Sequence, residues 1–303
     1  MYQQRNRLLL EDEKQLLGLW IPKMPKKIIR NKIQLLLLIV LLCNINNAFA
    51  STAREGENGL VMGLLPFMSP ITLFKRFTPL REYISTRLQQ EIVFETSRNF
   101  ESFIARTKEN RYDIILTAPH YVNPALDSGD YRVLATVNTP LTANIMVPEN
   151  SHIQTMHDLT GKIIAHAPNK AFIPIVGKKY ILESGLIGDL EPSYKAYRSH
   201  NAAYQAVLAG EADAVIIGPY LVKQAIKSHA LRLVGKSREY PSIAVLGSTN
   251  IANEVLAKIT EILVQMRTKE KGKEILSAIL CPGFRQAKKN EYDILRTYLS
   301  RVD

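Results

Sequence analysis

Residues 198–217, RSHNAAYQAVLAGEADAVII, contain the helix-to-strand transition on which the fold assignment depends. Ser199 is a favoured helix N-cap, and the apolar spacing after it predicts a helix over residues 201–208. Gly210 ends that helix, and residues 212–217 form an apolar run with the length of a buried strand. The stretch therefore predicts a helix that leads into a buried strand, as in α/β proteins.

The same alternation begins at residue 59. The predicted strands are 59–65, 91–95, 112–116, 162–167, 193–197 and 212–217. The predicted helices among them are 70–88, 99–107, 172–183 and 201–208, and further helices are predicted at 253–266, 272–279 and 291–302. Strands that alternate with helices indicate mostly parallel sheets covered by helices.

Two segments, 132–148 and 231–247, each contain two strand-like pieces without a helix between them. Such breaks on either side of a central α/β block predict that one lobe is inserted into another. We therefore predict an α/β fold with two lobes joined by two crossover strands. Lobe 1 comprises residues 51–140 and 249–303, and lobe 2 comprises residues 141–248. A cleft between such lobes suits a small ligand and hinge motion.

The first 50 residues have the pattern of a leader and signal peptide. A basic stretch at 24–32 precedes an almost wholly apolar run at 33–43, and Ala48 and Ala50 are small residues of the kind that a signal peptidase reads. We expect cleavage after Ala50 and export to the periplasm, with Met24 as an alternative start. An uncleaved anchor is the competing interpretation, although the apolar run is shorter than the roughly 18 residues of a membrane span.

Composition and charge narrow the class of protein. The chain is 46% hydrophobic and 22% charged, as globular proteins are. Beyond residue 50 it carries 31 Lys and Arg against 25 Asp and Glu, a mildly basic balance that suits an anionic ligand. Basic runs interleaved with aromatic residues are absent, so we expect no nucleic-acid partner. After cleavage only Cys281 remains, so no intramolecular disulfide can form.

Searches for catalytic and metal motifs find none. The sequence has no phosphate-binding GxxxxGK[ST] loop, HExxH, CxxC or GxSxG pattern, and its six histidines lack metal-ligand spacing. We therefore expect a binding protein without a cofactor or metal, and not an enzyme.

Candidate ligand residues lie where strands lead into helices. In open α/β sheets ligands bind beyond the carboxyl ends of the strands, where helix N-termini offer free N–H groups and a partial positive charge. Each candidate also has an ordinary structural explanation, as a cap, a packed ring or a solvated side chain. The candidates at the four junctions are Ser69, Tyr121, Asn169, Lys170, Ser199 and His200.

Four segments together resemble the phosphonate-, phosphite- and phosphate-binding periplasmic proteins of ABC importers, which have the type II periplasmic-binding-protein fold. They are PFMSP with PLREYISTRL, YDIILTAPHYV, MHDLTGKIIAHAP and RSHNAAYQAVLAGEADAVII, and the resemblance covers roughly residues 59–285. It implies ligand contacts at the same four junctions. It also implies that Asp113 and Asp213 fix backbone rather than contact ligand.

One loop departs from that family. Its members carry a hydroxyl-rich loop in lobe 2 that holds phosphonate oxygens, whereas residues 168–174 here read PNKAFIP, without a hydroxyl. Gly218 and Pro219 also stand where relatives often place a polar residue. Either Lys170 and backbone N–H groups replace the hydroxyls, or the ligand is not a phosphonate.

We therefore expect a monomeric periplasmic solute-binding protein that closes on a small anionic solute and delivers it to an ABC permease. The alternative is a subunit that presents the bound solute to a membrane sensor, either a sensor kinase or a chemoreceptor. An enzyme on the same fold is a third hypothesis, and the lack of a nucleophile with its base argues against it.

Overall fold

The computed structural model describes residues 59–288 and 290–299. The predicted leader and signal peptide at 1–50 and the last residues of the helix predicted at 291–302 lie outside these ranges. In the described part of the chain, no helix combines the length and the apolar character that a membrane span needs.

Strands and helices alternate through the first four-fifths of the described chain. The strands are β1 (Leu60–Leu64), β2 (Ile92–Thr96), β3 (Ile114–Thr117), β4 (Tyr131–Val137), β5 (Asn144–Pro148), β6 (Ile163–His166), β7 (Ser193–Ala196), β8 (Ala214–Ile217), β9 (Leu231–Lys236), β10 (Ala244–Ser248) and β11 (Phe284–Arg285). The α-helices are α1 (Pro70–Leu88), α2 (Phe100–Lys108), α3 (Val122–Asp127), α4 (Phe172–Glu183), α5 (His200–Leu208), α6 (Pro219–Lys227), α7 (Asn253–Gln265), α8 (Glu270–Ala278) and α9 (Ile294–Leu299). Single 3₁₀ turns lie at Pro119–Tyr121, His157–Leu159, Gly188–Leu190 and Met266–Thr268.

The strands form two sheets with the same internal plan. The first has the order β11-β4-β10-β3-β1-β2 and the second the order β7-β6-β8-β5-β9. In the first, β1 is parallel to β2 and β3, and β10 is antiparallel to β3 and β4. In the second, β6 is parallel to β7 and β8, and β5 is antiparallel to β8 and β9. The predicted two-lobed α/β fold is confirmed. Its sheets are mixed, because each contains an antiparallel strand, β10 or β5, that the chain enters after crossing over from the other lobe.

The chain crosses between the sheets at residues 138–143 and 237–243. The two crossovers run side by side, since Leu141 and Tyr240 form an antiparallel bridge. The expected end of lobe 2 at residue 248 needs a correction, because Ala244–Ser248 pairs with β3 and β4 of the first sheet. Below, lobe 1 means the described residues of 59–137 and 244–299, and lobe 2 means residues 144–236.

Asp113 and Asp213 occupy equivalent positions in the two lobes. The Asp113 carboxylate accepts a hydrogen bond from the backbone N–H of Val61 at 2.7 Å, and the Asp213 carboxylate accepts one from Ile163 at 2.8 Å. The first contact ties the start of β3 to β1, and the second ties the start of β8 to β6. The backbone role that the resemblance implies for these two residues is confirmed.

The lobes pack against each other in this structure. One apolar cluster contains buried side chains from both, among them Phe103 and Tyr112 of lobe 1 and Phe172 and Ile216 of lobe 2. The candidate site must therefore be described with both lobes in contact.

The C-terminal segment also contacts both lobes. Lys179 of α4 donates a hydrogen bond to the backbone oxygen of Tyr298 at 2.6 Å, and Asn123 of α3 donates one to that of Tyr292 at 2.8 Å. The Tyr298 ring lies 5.1 Å from the ring of Tyr240 in the second crossover. This segment thus lies over the side where the lobes are joined.

Candidate ligand-binding cleft

The N-terminus of α5 in lobe 2 is built as the sequence predicts. Ser199 has extended backbone, and its hydroxyl oxygen accepts a hydrogen bond from the N–H of Ala202 at 3.1 Å. The cap uses one lone pair of the hydroxyl, so its hydrogen remains a donor for a ligand. His200 is the first residue of the helix, one position earlier than predicted.

His200 is enclosed instead of exposed in the first turn. Its Nδ1 is out of contact with solvent and has no hydrogen-bond partner among the described residues. Its ring packs edge-on against Tyr220 of α6, with centroids 5.9 Å apart. Burial, helped by nearby His166, lowers the pKa of His200 to about 4. A buried polar atom without a partner is uncommon in native proteins, and a ligand would supply the missing partner.

On lobe 1, the turn Pro119–Tyr121 makes polar contacts with lobe 2. The Tyr121 hydroxyl donates a hydrogen bond to the backbone oxygen of Lys170 at 3.0 Å, and His120 Nε2 lies 3.1 Å from the same oxygen. Burial raises the pKa of Tyr121 to about 12, so its hydroxyl remains a donor. These residues join the lobes at the loop that lacks hydroxyls.

The hydrogen bond of His120 sets its tautomer. A carbonyl oxygen only accepts, so Nε2 carries the hydrogen and Nδ1 is the acceptor. That Nδ1 is buried and unpartnered among the described residues, and the ring stacks on Phe172 with centroids 5.4 Å apart. Burial lowers the pKa of His120 to about 4, although the bond to Lys170 opposes the shift. Sequence reasoning missed this residue, and its signal was its position beside Tyr121 at the end of a buried strand.

Lys170 and Asn169 are engaged with protein groups. The Lys170 ammonium lies 2.6 Å from a carboxylate oxygen of Glu101 in α2 of lobe 1, and both side chains are more than half exposed. Asn169 accepts a hydrogen bond from Lys178 at 3.1 Å. Asn169 does not cap α4, because the N-cap is Ala171, which has no side-chain hydrogen bond.

Ser69 lies at the start of α1 in lobe 1. Its hydroxyl oxygen accepts from the N–H of Thr72 at 3.3 Å and lies 2.8 Å from the Thr72 hydroxyl. The predicted cap is therefore confirmed, and the side chain is exposed. Within the described residues, the hydrogen bonds of the Ser69 hydroxyl all go to Thr72. They therefore do not link Ser69 to the other candidates.

Tyr220 of α6 lies beside His200, and their rings are in contact. Burial raises the pKa of Tyr220, and the positive charge of Arg76 in α1 acts against that rise. Sequence reasoning missed Tyr220 as a neighbour of His200.

The start of α5 groups several hydrogen-bond donors that suit an anion. They are the first N–H groups of the helix, the hydroxyl of Ser199 and the imidazole of His200. In the described part of the chain, no group of three or more His, Cys, Asp and Glu side chains is placed to hold a metal ion. The arrangement can bind a small anion.

Comparisons with known proteins identify the family and the fold of the chain. The model of a family described as "ABC transporter, phosphonate, periplasmic substrate-binding protein" matches residues 62–292. PhnD1 from Prochlorococcus marinus, solved with methylphosphonate, has 15% identity and a TM-score of 0.70, covering 80% of this chain and 97% of its own.

Two more solved structures are similar. XAC2383 from Xanthomonas citri, bound to chloride, has 14% identity and a TM-score of 0.67, covering 80% of this chain and 98% of its own. The alkanesulfonate-binding protein SsuA from Xanthomonas axonopodis pv. citri, bound to MOPS, has 16% identity and a TM-score of 0.57, covering 80% of this chain and 92% of its own. At such identities the likeness shows a shared fold.

Proposed function

Because the chain belongs to the family of periplasmic phosphonate-binding proteins of ABC transporters, we propose that it binds a small oxyanion between its two lobes. Members of this family are substrate-binding components, and this chain is one of them. The proposal concerns the chemistry of the ligand and the residues that hold it.

The observation that carries the proposal is the unpartnered Nδ1 of His200 at the N-terminus of α5. The first N–H groups of a helix point outward and carry a partial positive charge, so they attract an anion. With a pKa of about 4, His200 is neutral at pH 7 and carries one N–H hydrogen. An anion oxygen within reach of that N–H, of the Ser199 hydroxyl and of the helix end would be bound by several donors at once.

The loop at residues 168–174 supports a modified way of holding the anion. It has no hydroxyl, and its Lys170 backbone oxygen accepts hydrogen bonds from His120 and Tyr121. We propose that Tyr121 and Lys170 act at this loop mainly by keeping the lobes together, whereas Asn169 binds Lys178 within lobe 2. Ser69, Ser199 and His200 are then the side chains among the sequence candidates that contact the ligand.

These proposed roles also explain how the two lobes would close on a ligand. A ligand that contacts both lobes only when they are shut stabilises the shut state and shifts the population toward it. Since one chain supplies both lobes, a monomer is sufficient for binding. Its closed form would deliver the solute to an ABC permease.

Export would depend on the N-terminal segment. We propose that the signal peptide is cleaved after Ala50, so that the mature protein begins at Ser51 in the periplasm. N-terminal sequencing of the protein from a periplasmic extract tests this. A first residue other than Ser51 would move the cleavage site, and an intact basic leader on a membrane-bound protein would favour the anchor.

A thermal-shift screen tests the proposed ligand class. The anions are phosphate, phosphite, methylphosphonate and methanesulfonate, and the controls are glucose, glycine betaine and putrescine. At least one anion should raise the melting temperature, because a ligand that binds only the folded state stabilises it. No shift with any anion, together with a shift for a neutral or cationic solute, would contradict the proposal.

A further inference from the structure

We propose that His120 of lobe 1 selects the ligand by accepting a hydrogen bond through its Nδ1, so that the site prefers an oxyanion that carries an O–H group. Such anions are the partly protonated forms of phosphate, phosphite and alkylphosphonates, whereas a sulfonate carries no such hydrogen. This inference rests on the proposed function, since it names the class of oxyanion that the same cleft takes.

His120 lies where the two lobes meet. Its Nε2 is 3.1 Å from the backbone oxygen of Lys170, and its ring stacks on that of Phe172 with centroids 5.4 Å apart. Both partners belong to lobe 2, since Lys170 lies in the loop before α4 and Phe172 is the first residue of that helix. His120 is thus part of the surface that lobe 1 presents to lobe 2.

The common plan of the two lobes places His120 at the ligand end of its sheet. β3 follows Asp113 and β8 follows Asp213, and a proline comes six positions after each aspartate. His120 follows the first proline and Tyr220 the second, so these two residues occupy equivalent positions beyond the carboxyl ends of β3 and β8. Ligands of α/β sheets bind at those ends. In lobe 2 this position adjoins the start of α5, because the Tyr220 ring lies 5.9 Å from that of His200.

The hydrogen bond of His120 determines which of its nitrogens is the acceptor. A carbonyl oxygen accepts and cannot donate, so Nε2 carries the hydrogen that goes to Lys170, and Nδ1 has a free lone pair. Burial keeps the ring neutral, since it lowers the pKa of His120 to about 4. Nδ1 is out of contact with solvent and has no hydrogen-bond partner among the described residues. A buried acceptor without a partner is uncommon in native proteins, and a hydrogen of the ligand would satisfy it.

This lone pair discriminates between anions of the same shape. An O–H of the ligand would donate to Nδ1, while the other oxygens of the ligand accept from the donors at the start of α5. A sulfonate has only acceptor oxygens, so either one of them faces the lone pair or Nδ1 stays buried and unpaired. Both arrangements weaken binding, because a site that is built to hydrogen-bond an O–H rejects an analogue that lacks it.

The test compares methylphosphonate with methanesulfonate, two tetrahedral anions that each carry one methyl group. Calorimetry in mildly acidic buffer, in which methylphosphonate keeps one O–H, gives the two dissociation constants and their ratio. The wild type should bind methylphosphonate at least about 10-fold more tightly. In H120F an aromatic ring remains to stack on Phe172 but the acceptor is lost, so the ratio should fall at least about 5-fold. Phosphate against sulfate is a second pair, for a site without room for a methyl group.

Y121F is the matched control for the loss of closure. Tyr121 donates at 3.0 Å to the same Lys170 oxygen as His120, so each variant removes one hydrogen bond between the lobes. Weaker closure lowers the affinity for both anions by the same factor and leaves their ratio unchanged. Y121F should therefore keep the wild-type ratio within about 2-fold, and the change in ratio should occur in H120F alone.

The outcomes separate two failures. If the wild type prefers methylphosphonate and H120F has the same ratio, the role of His120 is refuted and the proposed function stands. A wild type that binds methanesulfonate as tightly as methylphosphonate refutes that role in the same way. If the wild type binds none of phosphate, phosphite, methylphosphonate and methanesulfonate, the proposed function is refuted and the role of His120 with it.

A second variant covers the case in which H120F is unfolded by circular dichroism or binds neither anion. H120Q then decides, because a glutamine amide reaches Lys170 with a donor while no acceptor replaces Nδ1. A ratio at least about 5-fold below that of the wild type supports the role of His120. A wild-type ratio in H120Q refutes it.

Discussion

The phenolic hydroxyl of Tyr121 in lobe 1 donates a hydrogen bond to the backbone oxygen of Lys170 in lobe 2, 3.0 Å away. His120 Nε2 donates to the same oxygen at 3.1 Å. One carbonyl of the loop at residues 168–174, which contains no hydroxyl, thus accepts two bonds from the other lobe. This contact holds the loop of lobe 2 against lobe 1, and the proposed role of Tyr121 in keeping the lobes together rests on it.

Tyr121→Phe should shift the ligand-free protein toward open lobes. It removes one hydrogen bond worth about 0.5–1.5 kcal/mol, so the open-to-closed ratio should rise about 2- to 12-fold. Small-angle scattering checks this as a larger radius of gyration. Tyr131→Phe is the matched control, because the Tyr131 hydroxyl donates at 3.0 Å to the backbone oxygen of Tyr112 within lobe 1. Equal radii for the two variants would contradict a closing role for Tyr121.

His200→Ala should weaken anion binding at least about 10-fold while the protein stays folded, because the imidazole donor is lost and no internal hydrogen bond is broken. Calorimetry gives the affinity and a thermal melt gives the stability.

Ser199→Ala should also weaken anion binding. In addition it should lower the free energy of unfolding by about 1 kcal/mol, because the hydroxyl caps α5. Asn99→Ala is its control, because Asn99 caps α2 through the N–H of Ser102 at 2.9 Å. The control should lose stability and keep its affinity. If both cap variants keep their affinity for the anion, Ser199 serves as a cap alone.

The ligand-free protein should lose stability as the pH falls from about 6.5 toward 4. Burial lowers the pKa values of His120 and His200 to about 4 in the folded state and also lowers that of His166, whereas an unfolded histidine titrates near 6.5. The unfolded chain therefore binds more protons in this window. Each extra proton costs the folded state about 1.4 kcal/mol per pH unit.

Urea unfolding between pH 7 and pH 5 checks that slope, because most carboxylates are still ionised there. His200→Gln should reduce the slope of the unfolding free energy against pH by the contribution of one proton. His229→Gln is the control, since that side chain is exposed. A free energy of unfolding that stays constant or rises on acidification would contradict the burial of these imidazoles.

Asp213→Asn should destabilise the protein by about 1–3 kcal/mol without changing anion affinity. The Asp213 carboxylate accepts the N–H of Ile163 at 2.8 Å, and an amide is a weaker acceptor than a carboxylate. Asp189→Asn, in an exposed turn, should leave stability nearly unchanged. Denaturant unfolding and calorimetry separate the two properties. If the free energy of anion binding falls by more than the free energy of unfolding, Asp213 takes part in the site.

Local patterns were sufficient for most elements of the fold. Ser69 followed by Pro70 marks the start of α1, and the predicted bounds of α1 and α4 agree with the structure to the residue. The assignment of Ala244–Ser248 to lobe 2 failed for a different reason. Which sheet a strand joins depends on pairing with residues more than a hundred positions away, and that pairing leaves no local pattern.

The sequence predicts which helix starts contribute to the candidate site. It does not predict the contacts that their side chains make. Ser199 and His200 could be located because the cap signal and the strand before it are local. The burial of His120 and the pairing of Lys170 with Glu101 arise only when the lobes meet. A single side chain gives no signal of a partner contributed by another lobe.

The most direct test of the account is a crystal structure of the protein with whichever of phosphate, phosphite, methylphosphonate and methanesulfonate gives the largest thermal shift. We predict an anion oxygen within about 3.2 Å of an imidazole nitrogen of His200, with the same anion contacting lobe 1. An anion bound to one lobe alone, or one held away from the N-terminus of α5, would contradict the account.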